Sequence, residues 1–157
     1  MHFAYFSLMT LTWTTKPFNA LTLPELYAVL QLRSEVFVVE QTCAFQDMDG
    51  QDQTAHHLLG HSESGELAAY SRLFGAGVVY PEASIGRVVV NLKFRRYGLG
   101  RELLRQSIAA VAELFGEQPI QIGAQLYLKE FYESFGFQQH GEGYLEDGIP
   151  HIHMVRL

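Results

Sequence analysis

Cysteine is almost absent: Cys43 is the only one in 157 residues. A single thiol excludes an internal disulfide framework and a zinc site built on cysteines, and it makes the cytosol the default compartment. Basic residues are also few. Eleven lysines and arginines stand against seventeen acids, for a formal charge of −6. That balance excludes a general nucleic-acid binder and still allows a local basic pocket. No apolar run approaches the ~20 residues of a spanning helix, so no membrane partner is expected. The apolar residues 1–8 lack a basic start and a small-residue cleavage site, and they do not read as a signal peptide. Met9 is an alternative start, which would make residues 1–8 an extension. Repeats and low-complexity tracts are missing. What remains is 48% apolar and 18% charged, the composition of one globular domain spanning residues 1–157.

The pattern of apolar residues alternates between two periods. Thr10 to Lys16 alternates as a strand does. Thr22 reads as an N-cap, and Leu23, Leu26, Tyr27, Leu30 and Val36-Phe37 follow helical spacing over 23–36. Residues 41–53 form a loop. Residues 55–61 and 66–74 read as a hairpin turned by Ser62-Glu63-Ser64-Gly65, and residues 75–82 as another loop. The dense β-branched run from Ser84 to Leu92 reads as a buried central strand. Leu104, Ile108, Val111 and Phe115 define the buried face of a helix that stops near Gly116. A strand over 119–124, an aromatic-rich helix over 126–135 and two strands in 137–157 complete the chain. Strands and helices in this order predict an α/β domain with a mixed central β-sheet flanked by helices.

The strongest local signal is Arg95-x-x-Gly98-x-Gly100, where a strand gives way to a helix. A helix start offers unpartnered N–H groups and the positive end of its dipole. Glycines let an anion approach the amides of Gly98, Leu99 and Gly100 without a Cβ in the way. Arg95, Arg96 and Arg101 add positive charge, so the turn suits a diphosphate. The plainer alternative is a tight turn with solvated arginines. Two common phosphate motifs are excluded. Leu103 stands where the dinucleotide fingerprint needs its third glycine, and Arg101-Glu102 where a Walker loop needs Lys-Ser/Thr.

This turn and its flanking elements resemble motif A of the GNAT superfamily of N-acetyltransferases. Phe131-Tyr132-Glu133-Ser134-Phe135-Gly136-Phe137 resembles motif B of the same superfamily. The ElaA-type branch is matched more widely: by 26–33 and 35–41, by Asp49-Gly50-x-Asp52, by Ile85-Gly86-Arg87-Val88, by Gly123-Ala124-Gln125 and by 146–152. The likeness covers nearly the whole chain from Thr10.

The resemblance implies the GNAT fold and direct attack of an amine on the thioester of acetyl-CoA, with no acyl-enzyme, so Cys43 is not needed as a nucleophile. It implies that Val88, Val89 and Val90 bend away from a neighbouring strand to receive pantetheine. The N–H of Val89 or Val90 would polarise the thioester carbonyl. Arg95, Arg96, Gly98, Leu99, Gly100 and Arg101 would hold the pyrophosphate, and Tyr132 would protonate the leaving thiolate. The alternatives are plain core packing for the valines and a satisfied core hydroxyl for Tyr132. Domains of this kind also often pair as homodimers.

An alkylammonium must lose a proton before it attacks. Glu40 ends an apolar run and is the catalytic candidate for that step. Asp147 and His151 flank a Gly-Ile-Pro turn that would close over the acceptor, and Arg87 would join them or form a structural ion pair. The acceptor is a small amine, polyamine-like or antibiotic-like, or a peptide amine. The loop acids Asp47, Asp49 and Asp52 favour a cationic small molecule. No metal is expected. His56 and His57 point to opposite strand faces, and His151 and His153 show no supporting pattern around them. Two rival functions are an acyl-homoserine-lactone-synthase-like acyltransferase, faintly suggested by Arg33-x-x-Val36-Phe37, and a non-catalytic coenzyme A-binding module.

Overall fold

A computed structural model describes residues 9–157; the expectations about residues 1–8 lie outside them. The strands are β1 (Thr12–Pro17), β2 (His56–His61), β3 (Leu67–Phe74), β4 (Ala83–Val90), β5 (Ile120–Gln125), β6 (Phe137–Glu146) and β7 (Ile149–Arg156). They form one sheet in the order β1-β2-β3-β4-β5-β7-β6. Neighbours are antiparallel except β4 and β5. The helices are α1 (Leu23–Arg33), α2 (Leu99–Phe115) and α3 (Lys129–Glu133). The expected order of elements and the mixed sheet are both present.

Alternation along the strands splits the core in two. Leu58 joins Ala68, Leu73, Ile122 and Met154 on the face covered by Leu103, Leu104 and Val111 of α2. Its neighbour Leu59 joins Tyr70 and Val89 on the face covered by Val29, Leu32 and Val36. Expected and observed faces of α1 differ. Leu23 and Tyr27, counted in the apolar stripe, are exposed, whereas Arg33 is fully buried beside Val29 and Leu32. Arg33 has carboxylate partners inside, and this rotates the helix. The capping box at Thr22 and Glu25 forms as the sequence suggests.

Two irregularities shape the site. Helix α1 does not stop at residue 36. Ser34–Glu40 continue as a π-helical segment, and wide-turn bonds from Gln41 N–H to Val36 O (3.2 Å) and Cys43 N–H to Val38 O (3.0 Å) close it. The second is a β-bulge. The β3–β4 register shifts between Tyr70 and Arg72, and Arg87 takes φ 49° there, which bends β4. Strands β4 and β5 consequently pair only at Ala83↔Ile120 and Ser84↔Gln121. The β4 strand ends at Val90, short of Leu92, and a 3-10 turn over Leu92–Tyr97 separates it from the glycines.

Candidate active site

The divergence of β4 and β5 opens a cleft of about 750 Å³, within the range of sites that enclose small ligands. Residues 86–90 of β4 and 122–125 of β5 form its walls, Phe37 and Glu40 its side, Tyr132 one end and Asp147 part of its roof. Asn91 N–H donates to Ala68 O on β3 at 2.8 Å. Strand alternation therefore turns the N–H and carbonyl of Val90 the other way, into the cleft. Arg95 Nε reaches that carbonyl at 3.3 Å. The three valines thus pack through their side chains while Val90 presents a backbone N–H without a strand partner.

At the same end Gly98, at φ 65°, caps the start of α2 without a side-chain hydrogen bond. Arg96 is exposed beside it. Arg101 donates to Ser134 Oγ at 3.1 Å and lies over the Phe135 ring. Arg95 is not free: its Nη1 and Nη2 donate to Glu40 Oε1 and Oε2 at 2.5 and 2.8 Å. This pair holds the Glu40 carboxyl below its usual range. A carboxylate clasped in this way is a poor proton acceptor, which counts against the catalytic role expected of Glu40.

Tyr132 is buried between Phe131 and Phe137 yet lines the cleft. Burial, with a smaller contribution from Tyr127, pushes its hydroxyl up to about 12, so it stays protonated. On the acceptor side His151 is buried. Its Nδ1 lies 2.7 Å from Ile149 O, and its Nε2 lies 3.2 Å from Glu146 Oε2. A carbonyl only accepts, so Nδ1–H donates to Ile149 O, and Nε2 faces the Glu146 carboxylate. Asp147 sits in the turn at φ 50°, and its carbonyl meets Cys43 Sγ at 3.8 Å.

The acidic loop departs from its expected role. Arg33 Nε and Nη1 bond Asp47 and Asp52 at 2.8 Å. Arg72 bonds Asp49 and Asp52, and Arg87 Nε bonds Asp47 at 2.8 Å. Three arginines and three aspartates form one neutral network. Burial raises the Asp49 carboxyl, but the Arg72 hydrogen bonds, the Gln51 N–H and the charges of Arg72 and Arg87 together outweigh it and bring the group down to about 2. The three acids therefore hold arginines in place and offer little net attraction to a cation. Arg87 touches the cleft as part of this scaffold. The sequence offered Arg33 only as part of the Arg33-x-x-Val36-Phe37 segment and did not single out Arg72; for Arg72 an arginine inside an otherwise apolar stretch was the available signal. Gln41 and Gln125, which the sequence offered only within matched segments, bond across the cleft at 3.3 Å. Among the described residues no three His, Cys, Asp or Glu side chains converge to hold a metal, and no helix is long and apolar enough to cross a membrane.

Residues 28–157 match the family described as acetyltransferase (GNAT) domain. The chain is 41% identical to Protein ElaA of Escherichia coli over 146 residues, covering 92% of this chain and 95% of that protein. The crystal structure of an acyl-CoA N-acyltransferase from Pseudomonas aeruginosa superposes with a TM-score of 0.89 at 44% identity, over 94% of this chain and all of that one. An acyl-homoserine-lactone synthase, LasI, superposes with a TM-score of 0.76 at 12% identity over 94% of this chain and 89% of that one, a likeness of fold alone.

Proposed function

The chain belongs to the GNAT acetyltransferase family, and from that premise we propose that it moves an acetyl group from acetyl-CoA to a primary amine by direct attack in a ternary complex. The observation that carries this reading is the opened β4 edge. Val90 turns an N–H without a strand partner into the cleft, and the glycine-capped start of α2 stands at its end. These features fit a diphosphate carrier with an amide-bearing arm. Free strand backbone pairs with amides, and bare helix amides with arginines receive phosphate. Arg95, Arg96, Arg101 and the amides of 98–100 would hold the pyrophosphate, with Val88, Val89 and Val90 along the arm. Acetyl-CoA, when bound, supplies an activated thioester.

The chain's own groups account for the proton movements. The Val90 N–H faces the place where carbonyl charge would develop, and a fixed donor of this kind is worth ~3 kcal/mol in barrier. Tyr132 is protonated and positioned for a departing thiolate. Among Glu40, Asp147 and His151 we favour His151 as the base that takes the amine's proton, directly or through water. Its Nε2 lies 3.2 Å from Glu146 Oε2, so a proton taken from the amine at that nitrogen would be held in an ion pair. Asp147 would help to orient the acceptor.

Calorimetry with coenzyme A and acetyl-CoA, followed by thiol release over a panel of amines, tests this. Uptake of the carrier and amine-dependent release are expected. Absence of uptake by the folded protein overturns the reading. Uptake without amine-dependent release favours a binding module, and a preference for acyl-carrier substrates favours the lactone-synthase type. Tyr132→Phe should lower kcat by ~100-fold with carrier affinity retained; an unchanged kcat removes Tyr132 from the chemistry.

A further inference from the structure

Around His151, the side chains of Tyr80, Tyr144 and His153 form a group that the transfer chemistry does not use. Register places Gly123 opposite His153, and Tyr144 opposite His151, all on one face of the sheet. The Tyr144 ring stacks on His153 at 4.5 Å and on His151 at 5.7 Å. Tyr80, from the loop before β4, meets His153 edge-on at 5.7 Å. The two phenol oxygens converge over Gly123, which lines the cleft. A Cβ built there would lie 2.7 Å from Tyr144 Oη and 3.3 Å from Tyr80 Oη. His153 Nδ1 meets Gln121 and His151 Nδ1 meets Ile149, and neither nitrogen pairs with a phenol. Both hydroxyls are therefore left without a described partner. On β4, Gly86 has open space above it, whereas the two phenol oxygens fill the space over Gly123. A narrow gap beside the phenols suits a slender chain better than a bulky ring.

Charge decides what the far end of that chain carries. Glu146 has only His151 for a partner and is largely exposed. Burial first, and the Glu146 charge after it, push Tyr80 upward; Tyr144 rises to about 12 from burial, with Tyr80 and Glu146 adding to it. Glu146 therefore acts on both phenols. The arginines that line the cleft are already paired, Arg87 with Asp47 and Asp49 and Arg95 with Glu40. A carboxylate or phosphate arriving here would meet negative charge and no free cation, whereas an ammonium meets three oxygens with lone pairs.

We propose that the acceptor is an alkyl diamine or polyamine, with one amine at the transfer point and a second ammonium held by the Tyr80 and Tyr144 hydroxyls and the Glu146 carboxylate. This rests on the acyl-transfer reading of the cleft and names its substrate class. The neutralised aspartate loop contributes nothing to it.

The test is calorimetric titration of the whole chain with α,ω-diamines of three to six carbons, n-alkyl monoamines of equal length and ω-amino acids of equal length. The best diamine should bind about tenfold more tightly than its monoamine, and the amino acid more weakly than either. Tyr80→Phe removes one oxygen that touches no reacting group. It and Glu146→Gln should each cut the diamine advantage several-fold. Equal binding of diamine and monoamine, tighter binding of the amino acid, or an advantage undiminished in both variants overturns the proposal. Thiol release from the same amines separates the two readings. Turnover without a diamine advantage sinks the subsite alone, and diamine uptake without turnover sinks the transfer reading alone.

Discussion

Arg33 shows how far one side chain governs this molecule. It is fully buried, and its guanidinium bonds Asp47 Oδ2, Asp52 Oδ1 and the Asp47 carbonyl at 2.8, 2.8 and 3.1 Å. Those bonds tie the loop after the π-helical segment to the end of α1, and Arg72 and Arg87 tie the same acids to β3 and β4. Removing one partner from a buried ion network leaves the others uncompensated, at a cost of ~3–5 kcal/mol. Arg33→Met should destabilise the fold by about that amount in urea unfolding and weaken amine binding with it. The exposed Lys93–Glu66 pair is the control: Lys93→Met should leave the urea midpoint where it is, because surface pairs contribute little. A midpoint in Arg33→Met equal to that of the unsubstituted chain would mean that the network only fills space.

At the scale of elements, the β-branched run, the Ser62–Gly65 turn and the glycine stops at 116 and 136 were legible because each rests on local chemistry. The hairpin turn closes with Gly65 N–H on Ser62 O at 2.9 Å, and both glycine stops take positive φ. The buried face of α1 was not legible. It depends on carboxylates from a loop 14 and 19 residues away, which no helical period records. The bulge at Arg87 and the π-helical segment were hidden for the same reason, since tertiary pairing sets them. The glycine turn carries its own test. A Cβ at Gly98 or Gly100 would meet nothing within 4 Å, and only Gly98 has positive φ. Gly98→Ala should cost ~1 kcal/mol through backbone strain alone. Gly100→Ala, in an ordinary helical conformation, should gain about 0.5 kcal/mol. If these amides receive pyrophosphate, both variants bind coenzyme A more weakly. The informative variant is Gly100→Ala, more stable and yet a poorer binder. Undiminished affinity in it would mean that glycine serves only the turn.

Across the whole molecule, buried ionic and imidazole groups join the sheet to the loop, so stability must depend on pH with a definite sign. His57 is buried and neutral. Its Nε2–H donates to Asp52 O at 2.9 Å, and its Nδ1 accepts from the Tyr70 hydroxyl at 2.7 Å. Burial lowers its pKa from the ordinary 6.5, so the unfolded chain takes up a proton before the folded one does. Stability is complete above about pH 6.5 and declines as pH falls below it. Asp49 and Asp52 have the same sign in a lower window. Both are depressed from 3.8, Asp49 to about 2, so their contribution is lost as pH falls from 3.8 toward 2. A plot of Tm against pH should therefore be flat from 8 to about 6.5, fall gently, and steepen below 3.8. His57→Gln keeps a donor and an acceptor but cannot titrate, so it should remove the gentle fall and keep the steep one. Were the unsubstituted protein to hold its Tm down to pH 4, His57 would be taking its proton inside the fold, and the neutral hydrogen-bonded chain from Asp52 to Tyr70 would be the wrong description of this core.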